Sequence, residues 1–163
     1  ACCSPRSERA LFRGESMIIN GKTLLELSPI VGMSSTKGQI MGTSFGLSEA
    51  GYDIRIKQDL VLSSNDRFKL ASAIEEFNMP SDLIGVVHDK STWARRGLSV
   101  FNTVIEPGWN GFLTLELVFH GSDDLHIHAG QGIAQVLFHN ISDDASYSGK
   151  YQNQADEPVE ART

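Results

Sequence analysis

Two groups of residues in this chain have the types and spacing to do chemistry together. The first is Glu116, set in Phe112-Leu-Thr-Leu-Glu-Leu-Val-Phe119. Taken as a strand, this run points Leu113, Leu115, Leu117 and Phe119 one way and Phe112, Thr114, Glu116 and Val118 the other. A carboxylate between Phe112 and Val118 then stands on a mostly apolar face. Burial raises a carboxyl pKa toward neutrality, which suits a group that must both take and give a proton. The plainer reading is a glutamate satisfied by an arginine or facing solvent. The second group is Lys90-Ser-Thr-Trp-Ala-Arg95-Arg96, which packs three cations and two hydroxyls into a predicted helical turn. Hydroxyls, backbone N–H groups and guanidinium forks together suit a triphosphate. A solvated basic turn is the plainer reading here, but it leaves Trp93 inside the run and Trp109 shortly after it unexplained.

The elements around these groups read as short strands. Asn20 is placed to cap a brief helix over Gly21–Leu27, which Pro29 ends. Val31–Thr43 reads as loop with one short strand, and Ser44–Gly51 as a turn-rich lead. Tyr52–Ile56 alternates as a half-buried strand, Leu60–Leu62 follows, and Phe68–Phe77 and Leu83–Val87 are two more. Ser91–Arg96 is one helical turn stopped by Gly97. Leu98–Val104 is predicted as a single strand. Pro107-Gly108 and Asn110-Gly111 signal turns on either side of Trp109. Phe112–Phe119, Leu125–His128 and Ile133–Ile141 complete the series. Many short strands with glycine-rich turns predict an all-β barrel or jelly-roll-like sandwich with one or two short helices. Phe45, Tyr52 and Phe138 are candidate core aromatics.

Composition bounds the function. The 163 residues suit one domain. A formal charge of -6 argues against nucleic acid as partner, while leaving room for a nucleotide. No apolar run approaches the roughly 18 residues of a membrane span. There is no P-loop and no Gly-x-Gly-x-x-Gly. Residues 1–16 lack periodicity and read as a non-native leader or tag, with Met17 as the natural start. Residues 17–141 read as the domain and 142–163 as a flexible polar tail. Both cysteines, Cys2 and Cys3, fall in the leader, so the domain has neither a thiolate nucleophile nor Cys ligands for zinc, and it fits a reducing cytoplasm. His126 and His128 share a strand face, but no third ligand lies near, so no metal site is expected. His88, His120 and His139 read as structural or surface residues.

Lys-Ser-Thr-Trp-Ala-Arg-Arg-Gly-Leu, from Lys90, followed by Asn-Thr-Val-Ile-Glu-Pro-Gly-Trp-Asn-Gly-Phe-Leu-Thr-Leu-Glu-Leu, resembles the dCTP deaminase branch of the dUTPase-like superfamily. So do Gly-Tyr-Asp-Ile-Arg, from Gly51, and Gly-Gln-Gly-Ile-Ala-Gln, from Gly130. Tyr147-Ser-Gly-Lys-Tyr-Gln-Asn-Gln154 is similar to that family's nucleotide-covering tail. The resemblance runs from about Met17 to Gln154. It implies a homotrimer of distorted β-barrels with active sites between subunits. It also implies metal-free hydrolysis of dCTP to dUTP and ammonia, with magnesium carried on the triphosphate and no zinc. Glu116 matches the catalytic glutamate, and Ser91 and Arg95 match residues that orient the water and that glutamate. Lys90, Ser91 and Thr92 match the triphosphate segment, which continues through Trp93 and Ala94; many members carry arginine at the Lys90 position. Thr114 and Leu115 match the base-reading strand, Glu106 an acidic position near the sugar that is often aspartate, and Trp109 the sugar wall. Gln135, Tyr147, Lys150 and Gln154 match further nucleotide contacts.

Two other outcomes stay open on these residues. One is a dUTPase, or a bifunctional enzyme that carries dCTP on to dUMP. A pure dUTPase would be expected to have an apolar residue at Glu116 and a glycine-rich closing tail. The other is a catalytically silent nucleotide-binding trimer, against which the intact Glu116, Ser91 and Arg95 argue.

Overall fold

The computed structural model describes residues 17–163. The expected leader and both cysteines lie outside the described residues. Among those described there are twelve strands and two short helices. In chain order these are β1 (Ile18–Ile19), α1 (Gly21–Leu27), β2 (Lys37–Ile40), β3 (Thr43–Leu47), β4 (Tyr52–Arg55), β5 (Leu60–Leu62) and β6 (Phe68–Asn78). There follow β7 (Leu83–Asp89), α2 (Ser91–Ala94), β8 (Leu98–Val100), β9 (Val104–Ile105), β10 (Asn110–Phe119), β11 (Leu125–Ile127) and β12 (Gly132–Asn140).

The strands form a seven-stranded sheet in the order β2-β3-β4-β12-β7-β9, with β1 added on β12, and a three-stranded sheet β6-β10-β8. A small ribbon, β11-β5, completes the fold. Strand alternation fills the space between. Tyr52, Ile54, Val87, Val136 and Phe138 come from the large sheet. Ala71, Phe77, Leu98, Val100, Leu115 and Leu117 come from the smaller one, and all join one buried cluster. Burial of each large apolar side chain contributes about 1.5–3 kcal/mol. The fold is all-β and jelly-roll-like, and the sheets do not close into a barrel.

One irregularity joins the two sheets. In the β6–β10 ladder Phe112 pairs with Glu76, but Thr114 already pairs with Ser72. Leu113 alone therefore spans Ala73, Ile74 and Glu75, and β6 bulges there. At the bulge Ala73 bridges Ile56. Glu75 turns inward, accepting 2.9 Å hydrogen bonds from the Arg55 backbone N–H and from Arg55 Nε. Burial pushes the Glu75 carboxyl above its usual value despite those bonds.

Several sequence expectations change. The lead before Gly51 contains a strand, β3, paired to β2 through a two-residue turn in which Met41 (φ 47) and Gly42 (φ 80) both take positive φ. Its serines and glycine hid it. The predicted strand Leu98–Val104 is split: β8 joins β10 and β9 joins β7, so residues 101–103 cross between sheets. Asn20 precedes α1 without a side-chain cap; its Nδ2 donates to the Glu49 carbonyl instead. No helix among the described residues is long and apolar enough to cross a membrane.

Candidate active site

Glu116 lies in the middle of the outward face of the three-stranded sheet. It pairs with Leu70 on β6. On the other side the Phe101 N–H donates to the Glu116 carbonyl at 3.1 Å, continuing the register in which Leu117 faces Val100. Its carboxylate stands in this apolar row with no hydrogen-bond or ion-pair partner among the described residues. Desolvation holds its pKa above the ordinary glutamate value, opposed only by its own backbone.

Thr114, one step along the same face, is buried and receives the tail. Gln154 Nε2 donates to Thr114 Oγ1 at 2.8 Å and to the Phe112 carbonyl at 2.9 Å. Val159 N–H also donates to Thr114 Oγ1, at 3.0 Å. The tail forms a parallel bridge with β10 between Gly111 and Gln154. Trp109 packs on Phe77 with centroids 6.1 Å apart and donates from Nε1 to the Tyr151 carbonyl at 2.7 Å. Tyr147 Oη accepts from the Tyr151 N–H, and Lys150 Nζ donates to the Arg162 carbonyl. The 142–163 segment is thus laid against the body through hydrogen bonds rather than an apolar stripe. Leu115, next to Thr114, points into the core at 1% exposure, so only its backbone is open to a ligand.

The α2 turn is nailed to the large sheet at two points. Trp93 is 1% exposed and donates from Nε1 to the Gly132 carbonyl at 2.7 Å. Lys90 Nζ reaches inward to Asp53 Oδ2 at 2.5 Å and donates to Ser44 Oγ at 2.9 Å. The Trp93 ring is an anchor in the core, and the Lys90 ammonium is paired inside the protein. Both turns of direction leave Ser91, Thr92, Ala94 and Arg95 on the exposed side of α2. Arg96 lies over the Trp93 ring at 5.0 Å.

The chain brings Gln154 onto Thr114, the neighbour of Glu116 on the same face, and brings Tyr147 and Trp109 to the tail around Tyr151. It does not join Ser91 or Arg95 to Glu116 by any hydrogen bond or ion pair among the described residues. Gln135 sits on the large sheet, donating to Ser48 Oγ at 2.8 Å. Glu106 is exposed, and only its backbone is engaged, accepting from the Trp109 N–H. His126 is exposed, and His128 Nδ1 lies 3.5 Å from Asp59 Oδ1. No group of three His, Cys, Asp or Glu among the described residues is placed to hold a metal. Sequence reasoning missed Asp53, Ser44 and Gln152, whose Oε1 accepts from the Asn110 N–H at 2.8 Å. Asp53 alternates with Tyr52 and Ile54 in a strand that also carries Arg55, so spacing alone assigned it to the polar face although it is buried.

A family model described as dCTP deaminase-like matches residues 49–141. The dCTP deaminase of Herpetosiphon aurantiacus is 36% identical, covering 72% of this chain and 83% of the relative. That of Nautilia profundicola is 31% identical, covering 78% and 85%. Among solved structures, a 2'-deoxycytidine 5'-triphosphate deaminase from Agrobacterium tumefaciens superposes with a TM-score of 0.59 at 12% identity, covering 80% of this chain and 50% of that one. EIAV dUTPase superposes with a TM-score of 0.53 at 21% identity, covering 63% and 85%. At these identities the superpositions establish a shared dUTPase-like fold.

Proposed function

The chain belongs to the dCTP deaminase-like family, and on that premise we propose that it hydrolyses dCTP to dUTP and ammonia, with Glu116 as the proton shuttle. The observation that carries this reading is the Glu116 carboxylate, raised in pKa by its apolar surroundings and free of any protein partner. A carboxylate so placed takes a proton from water as the water oxygen bonds to C4 of cytosine, and delivers it to N3 of the ring. Glu116 then takes the remaining proton from the C4 hydroxyl and passes it to the exocyclic nitrogen. The C4–N bond breaks, ammonia leaves, and the C4 carbonyl of uracil forms. The substrate is the magnesium complex of the triphosphate. Ser91, Thr92 and Arg95 supply hydroxyls and a guanidinium for the phosphates and the water. Thr114, Leu115 and Gln154 hold the base, and Trp109, Glu106, Gln135, Tyr147 and Lys150 border the remainder.

We further infer a homotrimer with each site shared between subunits. Two features support it. Ser91 and Arg95 make no hydrogen bond or ion pair with Glu116 within one chain, among the described residues. The outward face of the large sheet also carries an apolar row, Val104 against Val86 against Leu137, with Val104 48% exposed.

Incubation with dCTP, dCMP and dUTP in parallel, with and without magnesium, tests the activity. The expected products are ammonia and dUTP from dCTP alone. Release of dUMP and pyrophosphate without dUTP would make the enzyme bifunctional and overturn the monofunctional reading. Binding without turnover would leave a regulatory nucleotide sensor.

A further inference from the structure

Beside Glu116 the outward face carries two phenyl rings that nothing in the fold covers. Phe101 is 50% exposed and Phe68 is 52% exposed. Their centroids lie 6.4 Å apart with planes tilted by 36°. Register fixes their relation to the carboxylate. Glu116 stands in one cross-strand row with Leu70 and Phe101, and Phe68 pairs with Val118, the next residue along that face. Going along β10, the Thr114–Gln154 contact lies on one side of Glu116, Phe101 lies beside it in its own row, and Phe68 lies one row beyond. Exposed phenyl rings gain nothing in water, and the two here border the Glu116 carboxylate on this face.

We infer that Phe68 and Phe101 form the aromatic wall against which the substrate's pyrimidine ring packs, holding its C4 edge over Glu116. A flat heteroaromatic ring is the ligand chemistry this surface suits, because a phenyl face packs on a nucleobase face whatever hydrogen bonds its edge makes. Charged or aliphatic groups would use the tilt of the two rings less well. The inference rests on the deaminase reading for the identity of the ring, and on the register alone for its position.

The test uses the Glu116→Gln protein, in which dCTP binding can be measured at equilibrium. Phe101→Leu and Phe68→Leu are introduced singly and together. Calorimetry follows dCTP and, as a probe without a base, inorganic tripolyphosphate. The double variant is expected to bind dCTP about tenfold more weakly, with tripolyphosphate binding and oligomeric mass unchanged. Unchanged dCTP affinity overturns the inference, as does an equal loss for tripolyphosphate. A drop in oligomeric mass also overturns it, because the rings then pack copies of the chain together. Absence of ammonia release from dCTP by the unsubstituted protein is a separate result. It would sink the deaminase reading while the affinity ratio still reports on the wall.

Discussion

Lys90 directs its charge into the protein: its Nζ lies 2.5 Å from Asp53 Oδ2, with both side chains less than one-tenth exposed. The second oxygen, Asp53 Oδ1, is buried without a hydrogen-bond partner. Removing one member of such a pair leaves an uncompensated buried charge. Lys90→Met is therefore expected to cost about 3 kcal/mol in urea unfolding. Replacing both, as Lys90→Met with Asp53→Leu, is expected to cost less than Lys90→Met alone. A double variant at least as unstable as the single would show that the pair stabilises in its own right.

A second prediction concerns pH. Glu116 must be ionised to accept a proton from water, and burial favours its neutral form. The acid limb of the kcat profile is thus expected above the ordinary glutamate range, and Glu116→Gln should retain nucleotide binding with no ammonia release. The stability sign follows. The folded state holds this proton more tightly than the unfolded chain, so the contribution is full below the ordinary glutamate range and is lost as pH rises through the raised folded value. At pH 8 Glu116→Gln should melt no lower than the parent. An acid limb at the pKa of a free glutamate would remove Glu116 from the rate-limiting proton transfer.

The bulged β6 strand offers a third. Glu75 accepts from both the Arg55 backbone and its Nε, and its side chain is 3% exposed. Glu75→Ala strands the Arg55 N–H and the guanidinium, with an expected loss of about 3 kcal/mol. Glu75→Gln keeps one acceptor for the backbone N–H and should lose less. Chemical denaturation of both variants checks the order.

How much of this was legible in the sequence depends on the range of the interaction. The alternation of β10 lies within the strand, so Leu115, Leu117 and Glu116 could be assigned to faces from spacing alone, whereas the bulge in β6 breaks its alternation and leaves Phe68 exposed. The break at residues 101–103 could not, because those residues continue an extended pattern and only the pairing of Val104 with Val86 diverts them. Lys90 was read as a phosphate ligand because a cation beside two hydroxyls carries that local signal. Its actual partner is 37 residues away in the chain. Tail docking was invisible for a different reason. Gln154 and Tyr151 attach through polar atoms to Thr114 and Trp109, and hydrogen bonds leave no periodicity.

That docking supports a fourth prediction. Gln154→Ala removes the donor to Thr114 Oγ1 and to the Phe112 carbonyl, contacts worth about 1 kcal/mol each. The tail should be cleaved by trypsin at Lys150 several-fold faster than in the parent, while the melting temperature of the body holds. With dCTP bound to the parent, cleavage at Lys150 is expected to slow. Equal cleavage rates in all three would mean that the tail is held elsewhere.

The fifth prediction asks whether one chain holds a whole site. Within a chain neither Ser91 nor Arg95 makes a hydrogen bond or ion pair with Glu116 among the described residues, and α2 is fixed to the large sheet through Trp93 and Lys90 while Glu116 belongs to the smaller one. If each site takes Glu116 from one subunit and Arg95 from its neighbour, Glu116→Gln and Arg95→Ala proteins are each inactive but complementary. After unfolding and refolding an equal mixture, a site is intact when one neighbour carries the native glutamate and the other the native arginine. Random assembly into cyclic trimers makes that about one site in four. Ammonia release near a quarter of the parent rate is therefore expected from the mixture, and none from either variant alone. A mixture as inactive as its parts would place Arg95 and Glu116 of the same chain in one site.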